Sequence, residues 1–279
     1  MNATRKPLLA LSMLLILALA CSLAQFLGNE EEAGTLPGTA PPTEAPGEAV
    51  ASGEAPAASA TPRRLELPPT PTPFHVLSED DPRALLDLES PDHVDYFGEP
   101  TWYEYDAEGA TYRLEDGHLL GIDHTPEERF IYWSYTSFES GNTYAEVSAT
   151  NGDCIGKDSA GLVIRVDPTT TPSGYSLEVS CDGEFRFRRP HGAETPSTLI
   201  DWTPSEEIIT GPGETNRLGI WGYQDYFAVF INGVQVGEAT DPGYTYTTGY
   251  FALFVRASQT FDLTATFDDF AYWHIPYQE

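Results

Sequence analysis

Residues 216–239 read NRLGIWGYQDYFAVFINGVQVGEA, residues 247–258 continue TTGYFALFVRAS, and FDLTATFDDFAYW closes the run at Trp273. These are alternating or solid runs of Val, Ile, Phe, Tyr and Leu cut by Asn232-Gly233, Gly249 and the polar Ser258-Gln259 step, which is the pattern of antiparallel strands joined by tight turns. Asn-Gly between two such runs is the strongest short-range hairpin signal, because a type I′ turn needs positive φ at both central residues. Phe227 to Ile231 and Val234 to Glu238 are therefore expected to pair. Working outward, further strands are expected at Thr111–Glu115, His118–Ile122, Phe130–Ser137, Tyr144–Thr150, Gly161–Val166, Tyr175–Ser180 and Glu184–Arg188. With Arg217–Gly222, Tyr226–Ile231, Val234–Glu238, Gly249–Val255 and Phe261–Trp273, these make an all-β, two-sheet antiparallel sandwich. The one helical candidate is Asp81–Leu88, with Pro82 in its first turn, inside a linker-like approach from Phe74 to Glu99.

The Asn-Arg-Leu strand, the aromatic strand ending in Asn-Gly, the Gly-Tyr-Phe-Ala-Leu strand and the closing Phe-Asp-Asp-Phe strand resemble the C-terminal half of a concanavalin A-like lectin/glucanase jelly roll. DCIGKDSAGLVIRV and GYSLEVSCDGEFRFRR, between Asp153 and Arg189, resemble the middle of the same domain. Within that superfamily the pattern is similar to laminin-G-like and 3-keto-disaccharide-hydrolase-type domains of bacterial surface proteins. The resemblance covers residues 92–275 and implies fold more than activity, since one sandwich hosts lectins, hydrolases and adhesion modules.

Ahead of this domain the chain changes character. Arg5 and Lys6 precede an apolar run from Leu8 to Ala20, and Cys21 follows Ala18-Leu19-Ala20, a charged, apolar and small-residue sequence that reads as an export signal. The placement of Cys21 resembles the lipobox of bacterial lipoproteins, whose cysteine is acylated, although Ala18 departs from it. Cleavage after Ala20 without lipid, or an uncleaved anchor reaching Leu27, remain alternatives. Gly28 to Thr72 is Ala, Pro, Thr, Gly and Glu with almost no large apolar side chain, so it cannot bury enough surface to offset its ordering entropy. The expected organisation is a signal over 1–21, a disordered tether over 22–73 and one β-domain over 74–279, exported and anchored at the cell surface or envelope, or secreted.

The full chain carries 43 acidic and 14 basic residues, a formal net charge of −29. A field of that sign repels phosphate backbones and anionic headgroups, which disfavours nucleic acid and any membrane contact other than an N-terminal lipid or anchor. Of the three cysteines, Cys154 and Cys181 are left as an even pair in an exported domain, each at the rim of a strand. Their disulfide would stabilise by roughly 3 kcal/mol in the chain-entropy model.

Candidate sites follow from residue chemistry. The aromatic residues Trp133, Tyr135, Trp221, Tyr223, Tyr226, Tyr244, Tyr246 and Tyr250 outnumber what a sandwich core requires. Sugar rings present an apolar face that stacks on such rings. Trp133 and Trp221 are expected in the core, whereas Tyr223, Tyr244 and Tyr246, in loops, are the expected ligand contacts. Arg186 and Arg188 alternate with Phe185 and Phe187, so the arginines share one face; they either clamp an acidic sugar or pair with neighbouring Asp and Glu. Resemblance to the laminarinase-like glucanases implies a structural calcium at Asp269, completed by backbone carbonyls near Phe97 and Gly121; a bulge cap or a solvated carboxylate is the alternative. Glu104-x-Asp106-x-Glu108 has the glucanase spacing but lies early in the chain, beside a turn, and reads as solvated hairpin charges. No catalytic residue is assigned, and the six histidines show no metal spacing. The expected partner is a glycan or surface polymer, with a protein partner or a glycoside-active enzyme of the same fold as alternatives.

Overall fold

A computed structural model of the chain describes residues 80–126, 131–170 and 172–277. The export signal, Cys21 and the expected tether lie outside the described residues. Among the described residues fifteen strands form two antiparallel sheets: β1 His93–Asp95, β2 Tyr105–Asp106, β3 Ala110–Glu115, β4 His118–Asp123, β5 Tyr132–Ser140, β6 Thr143–Asn151, β7 Ser159–Val166, β8 Tyr175–Ser180, β9 Glu184–Arg189, β10 Ser197–Pro204, β11 Thr215–Tyr223, β12 Tyr226–Ile231, β13 Val234–Thr240, β14 Gly249–Arg256 and β15 Leu263–His274. The larger sheet runs β13-β12-β11-β6-β15-β4-β3-β2, with β1 pairing on β15, and the smaller runs β10-β9-β8-β7-β14-β5. The architecture is the expected sandwich.

Local chemistry explains the turns. Asn232 and Gly233 have φ of 51° and 83°, the two positive values a type I′ turn demands, and Asp116-Gly117 repeats the device between β3 and β4 at 52° and 81°. Asn232 also earns its position through its side chain, which accepts from the Arg217 amide and donates to the Glu207 carbonyl.

The inner faces meet over rings. Tyr175 and Phe187 from the small sheet pack on Phe227 of the large one at centroid distances of 4.2 and 5.4 Å. Leu162, Ile164, Phe251, Leu253 and Val255 face Val147, Ile220, Phe267 and Phe270 in the same cluster. Trp221 and Trp133 are buried as expected, yet neither lies between the sheets: each belongs to a separate apolar cluster on an outer face.

The approach to the domain is packed rather than linker-like. Instead of a helix over Asp81–Leu88, a single 3-10 turn spans Pro82–Leu85, capped by the Asp81 side chain. Arg83 anchors this turn to the domain: its guanidinium lies 4.0 Å from the centre of the Phe230 ring and donates to the Gly233 carbonyl. Leu86, Leu88 and Val94 then cover Tyr144, Trp221 and Trp273 on the outer face of the large sheet.

Cys154 and Cys181 are joined, as expected, closing a 27-residue separation between the β7 approach and the β8–β9 turn. Such a bond persists in oxidising compartments. Reduction, or the double change Cys154→Ala and Cys181→Ala, is expected to lower the unfolding free energy by about 3 kcal/mol. Denaturant titration with and without reductant measures it; coincident curves would show that the bond constrains nothing.

Candidate functional site

The outer face of the small sheet is where unusual side chains collect. Alternation sends Phe185 and Phe187 into the core and Arg186 and Arg188 outward, and on β8 it sends Glu178 outward between Leu177 and Val179. Pairing of β7 with β14 brings Arg256 alongside. Glu178, fully buried, accepts from Arg186 Nε at 2.6 Å and Nη2 at 3.0 Å, from Arg188 Nη2 at 2.9 Å and from Arg256 Nη1 at 2.9 Å. The Ser159 hydroxyl donates to the same carboxylate at 2.7 Å. Burial alone would raise this carboxyl's pKa; the three guanidiniums outweigh it and hold the group at about 2.

Next to the cluster on the same face lies an apolar strip. Trp133, Val163, Ala252 and Phe254 form its buried floor, flanked by the partly exposed Tyr135 and Tyr250. An isolated bridge between Trp102 and Thr136 lays Tyr103 beside β5, where its half-exposed ring stacks on Tyr135 at 5.3 Å and 23°. Tyr250 also borders a cleft of about 430 Å³, together with Glu139, Asp167, Thr245, Tyr246 and Thr248. Asp167 is held below the usual carboxylate range by the Thr169 hydroxyl and amide that donate to it.

The structure brings some expected site residues together and separates others. Tyr246 is a cleft wall rather than an open contact: its side chain is buried and its hydroxyl is bonded to His191 Nδ1. Tyr244 sits in the same loop with φ of 40°, its ring 5.5 Å from the Arg165 guanidinium. Tyr223 is elsewhere, at the end of β11 against the outer cluster of the large sheet. Arg186 and Arg188 do share a face, and both are engaged by Glu178.

The calcium expectation does not fit the residues around Asp269. This residue stands with φ of 50° at a bulge in β15, and its carbonyl accepts from Arg217 Nη1 at 2.6 Å, so a cation already occupies that oxygen. Gly121, offered as a carbonyl ligand, lies mid-strand between β3 and β15, and a Cβ there would meet Tyr112 and Val255 on the core side. Among the described residues no group of three or more His, Cys, Asp or Glu converges. Glu104, Asp106 and Glu108 are all exposed; the first accepts from the Leu114 amide and the second from the Thr111 hydroxyl, the bonds of a solvated edge hairpin.

No family model and no curated protein matches the chain. Among solved structures it is similar to the carbohydrate binding module CBM66 from Bacillus subtilis, at 17% identity over 62% of this chain and 95% of that one, with a TM-score of 0.49. A Bacillus subtilis protein of unknown function with a galectin-like fold gives 15% identity over 68% and 98%, with a TM-score of 0.45. A GlcNAcα1-4Gal releasing endo-β-galactosidase from Clostridium perfringens gives 12% over 68% and 64%, with 0.46. None of these likenesses bears on which ligand this chain takes.

Aromatic excess pointed toward the strip, but nothing in the sequence singled out Glu178, Arg256 or Tyr103. Glu178 sits in a run whose neighbours are all apolar or small, and that context is the signal: a carboxylate on a strand buried on both faces needs a cation opposite.

Glu178 makes the fold acid-sensitive in a defined window. Its folded pKa of about 2 lies below the ordinary 4.5, so its contribution is fully present above pH 4.5 and is lost as pH falls toward 2. The gap in unfolding free energy between the native chain and Glu178→Gln is expected to shrink by about 3 kcal/mol across that window. A constant gap in pH-dependent denaturation would refute this.

Proposed function

We propose that the domain is a non-catalytic glycan-binding module of an exported protein, and that the glycan lies along the outer face of the small sheet. The observation that carries this reading is the half-exposed Tyr103–Tyr135 stack on one edge of the face, together with Tyr250 bordering a cleft of threonine hydroxyls and carboxylates. Rings of that kind stack on the apolar faces of sugars, while Thr245, Thr248, Glu139 and Asp167 supply acceptors and donors for sugar hydroxyls. The disulfide agrees with an extracytoplasmic setting, and anchoring through Cys21 rests on the leader sequence alone.

Two carboxylates on one cleft, Glu139 and Asp167, favour hydrolysis as the second reading. A glycosidase needs one carboxyl held protonated at working pH beside an ionised one, and Asp167, shifted downward, fits only the ionised role. Release of reducing ends from a polysaccharide, abolished by Glu139→Gln, would reverse this preference.

Binding is tested by affinity electrophoresis or calorimetry of the full chain against a panel of neutral and acidic polysaccharides. Tyr103→Ala and Tyr250→Ala are each expected to weaken binding about tenfold, the 1.4 kcal/mol scale of a lost stacking contact. Thermal midpoints should hardly move for Tyr103→Ala, whose side chain is half exposed. A panel without a single bound polymer, or variants that bind like the native chain, would end the reading.

A further inference from the structure

Resting on the glycan reading above, we propose that the arginine cluster around Glu178 is a subsite for a negatively charged substituent, a carboxylate or sulfate, on the bound sugar. Three guanidiniums share one carboxylate, which leaves a formal surplus of two positive charges. Hydrogen-bonding capacity is in surplus too. Among the described residues Arg188 Nε and Arg256 Nε, both buried, have no hydrogen-bond partner, and only 12% and 7% of the two side chains is exposed. Buried unsatisfied donors are uncommon in folded proteins and are expensive to keep. An acceptor carrying negative charge answers both surpluses at once.

The electrostatics agree with the geometry. Burial, together with the adjacent Arg186 and Arg256, pulls the Arg188 guanidinium down to about 10 despite the Glu178 charge. A second anion would relieve that crowding. Guanidinium forks match carboxylate and sulfate oxygens in a way that a lone ammonium does not.

Placement ties the cluster to the strip. Trp202 on β10 lies under the Arg186 guanidinium at 4.3 Å and within 4.9 Å of Lys157 Nζ, so an indole flanks the cluster on one side. On the other side Phe254 precedes Arg256 by two residues on the same face of β14. From Tyr250 at the cleft to Arg256 is six residues of strand, about 20 Å, a distance a short oligosaccharide spans. Meanwhile the chain's formal net charge of −29 repels a polyanion at long range. Any preference for an acidic polymer must therefore come from a local contact, and buried charges are screened by salt far less than exposed ones.

The test compares polygalacturonate with its methyl ester, the same polymer without charge, and dextran sulfate with dextran, using the full chain in about 0.15 M salt. Polygalacturonate or dextran sulfate is expected to bind at least about tenfold more tightly than its neutral counterpart, and the pair showing the preference tells carboxylate from sulfate. Arg186→Gln and Arg188→Gln should abolish that preference and leave binding of the neutral polymer as it was. Arg188→Lys keeps the charge and loses the unpaired Nε donor; with an unchanged thermal midpoint it should lose most of the preference, which separates recognition from folding. Equal affinity for charged and neutral polymers overturns the subsite and leaves the glycan reading standing, as does a variant that weakens both alike. Failure of all four polymers and of the wider panel overturns the two together.

Discussion

Side-chain alternation along β7, β8, β9 and β14 imposes the constraint on which the rest of the structure depends. Each of these four strands puts alternate residues into the core, and the core there takes chiefly rings and branched aliphatics: Phe185 and Phe187, Leu177 and Val179, Leu162 and Ile164, Leu253 and Val255. What is left over faces outward, and there the chain places Glu178, Arg186, Arg188, Arg256 and Phe254. Sliding β9 or β14 by a single residue would drive guanidiniums into the ring cluster, and sliding β8 would drive in the Glu178 carboxylate, so the pairing register and the composition of the outer face are fixed by the same pattern. The fold and the candidate site are two readings of one alternation.

That outer face is not an economical way to build stability. A buried ion cluster repays its desolvation only with good geometry, and well-packed apolar residues of similar volume commonly do as well or better. Among the described residues nothing pairs the Nε–H groups of Arg188 and Arg256 besides. Arginines so arranged are hard to account for as scaffolding, particularly in a chain with 14 basic residues against 43 acidic ones. Ligand recognition supplies a reason for concentrating scarce positive charge there.

How much of this was legible beforehand follows from locality. The hairpin at Asn232-Gly233, the joined cysteines and the strands with strong alternation were readable within a residue or two, because backbone preference and burial pattern act over short stretches. β10, Ser197–Pro204, escaped notice because it is an edge strand with register shifts against β9 and no buried residue, so it carries no periodic signal. β1 and β2 are three and two residues long and leave even less. The candidate site was legible only in part: Arg186 and Arg188 announced their shared face, but their third companion, Arg256, lies 78 positions from Glu178 and arrives through sheet order alone. Tyr103 likewise meets Tyr135 through one isolated bridge. Tyr223 shows the converse failure, since position near a strand end says nothing about which sheet the strand joins.

One buried cation explains why the cleft end of the face can be rigid although it is built from turns. Arg165, with φ of 57° and no solvent exposure, donates from Nε to the Gly141 carbonyl at 2.9 Å and from Nη1 to the carbonyls of Gln224 at 2.7 Å and Tyr246 at 3.2 Å. Those three carbonyls belong to the β5–β6 turn, the β11–β12 turn and the β13–β14 loop, so a single planar fork ties together three loops at the ends of the ladders that carry them. The rings of Phe227 and Tyr244, 5.2 and 5.5 Å from its centre, compensate a charge that no carboxylate among the described residues neutralises, and burial lowers its pKa accordingly. Lysine has the charge but not the fork, and its compact ammonium would hold the three carbonyls less well. Because the loop bearing Tyr246 and Thr245 is fixed through its backbone, ligand binding in the cleft need not pay to order it, and affinity there can be carried by few contacts.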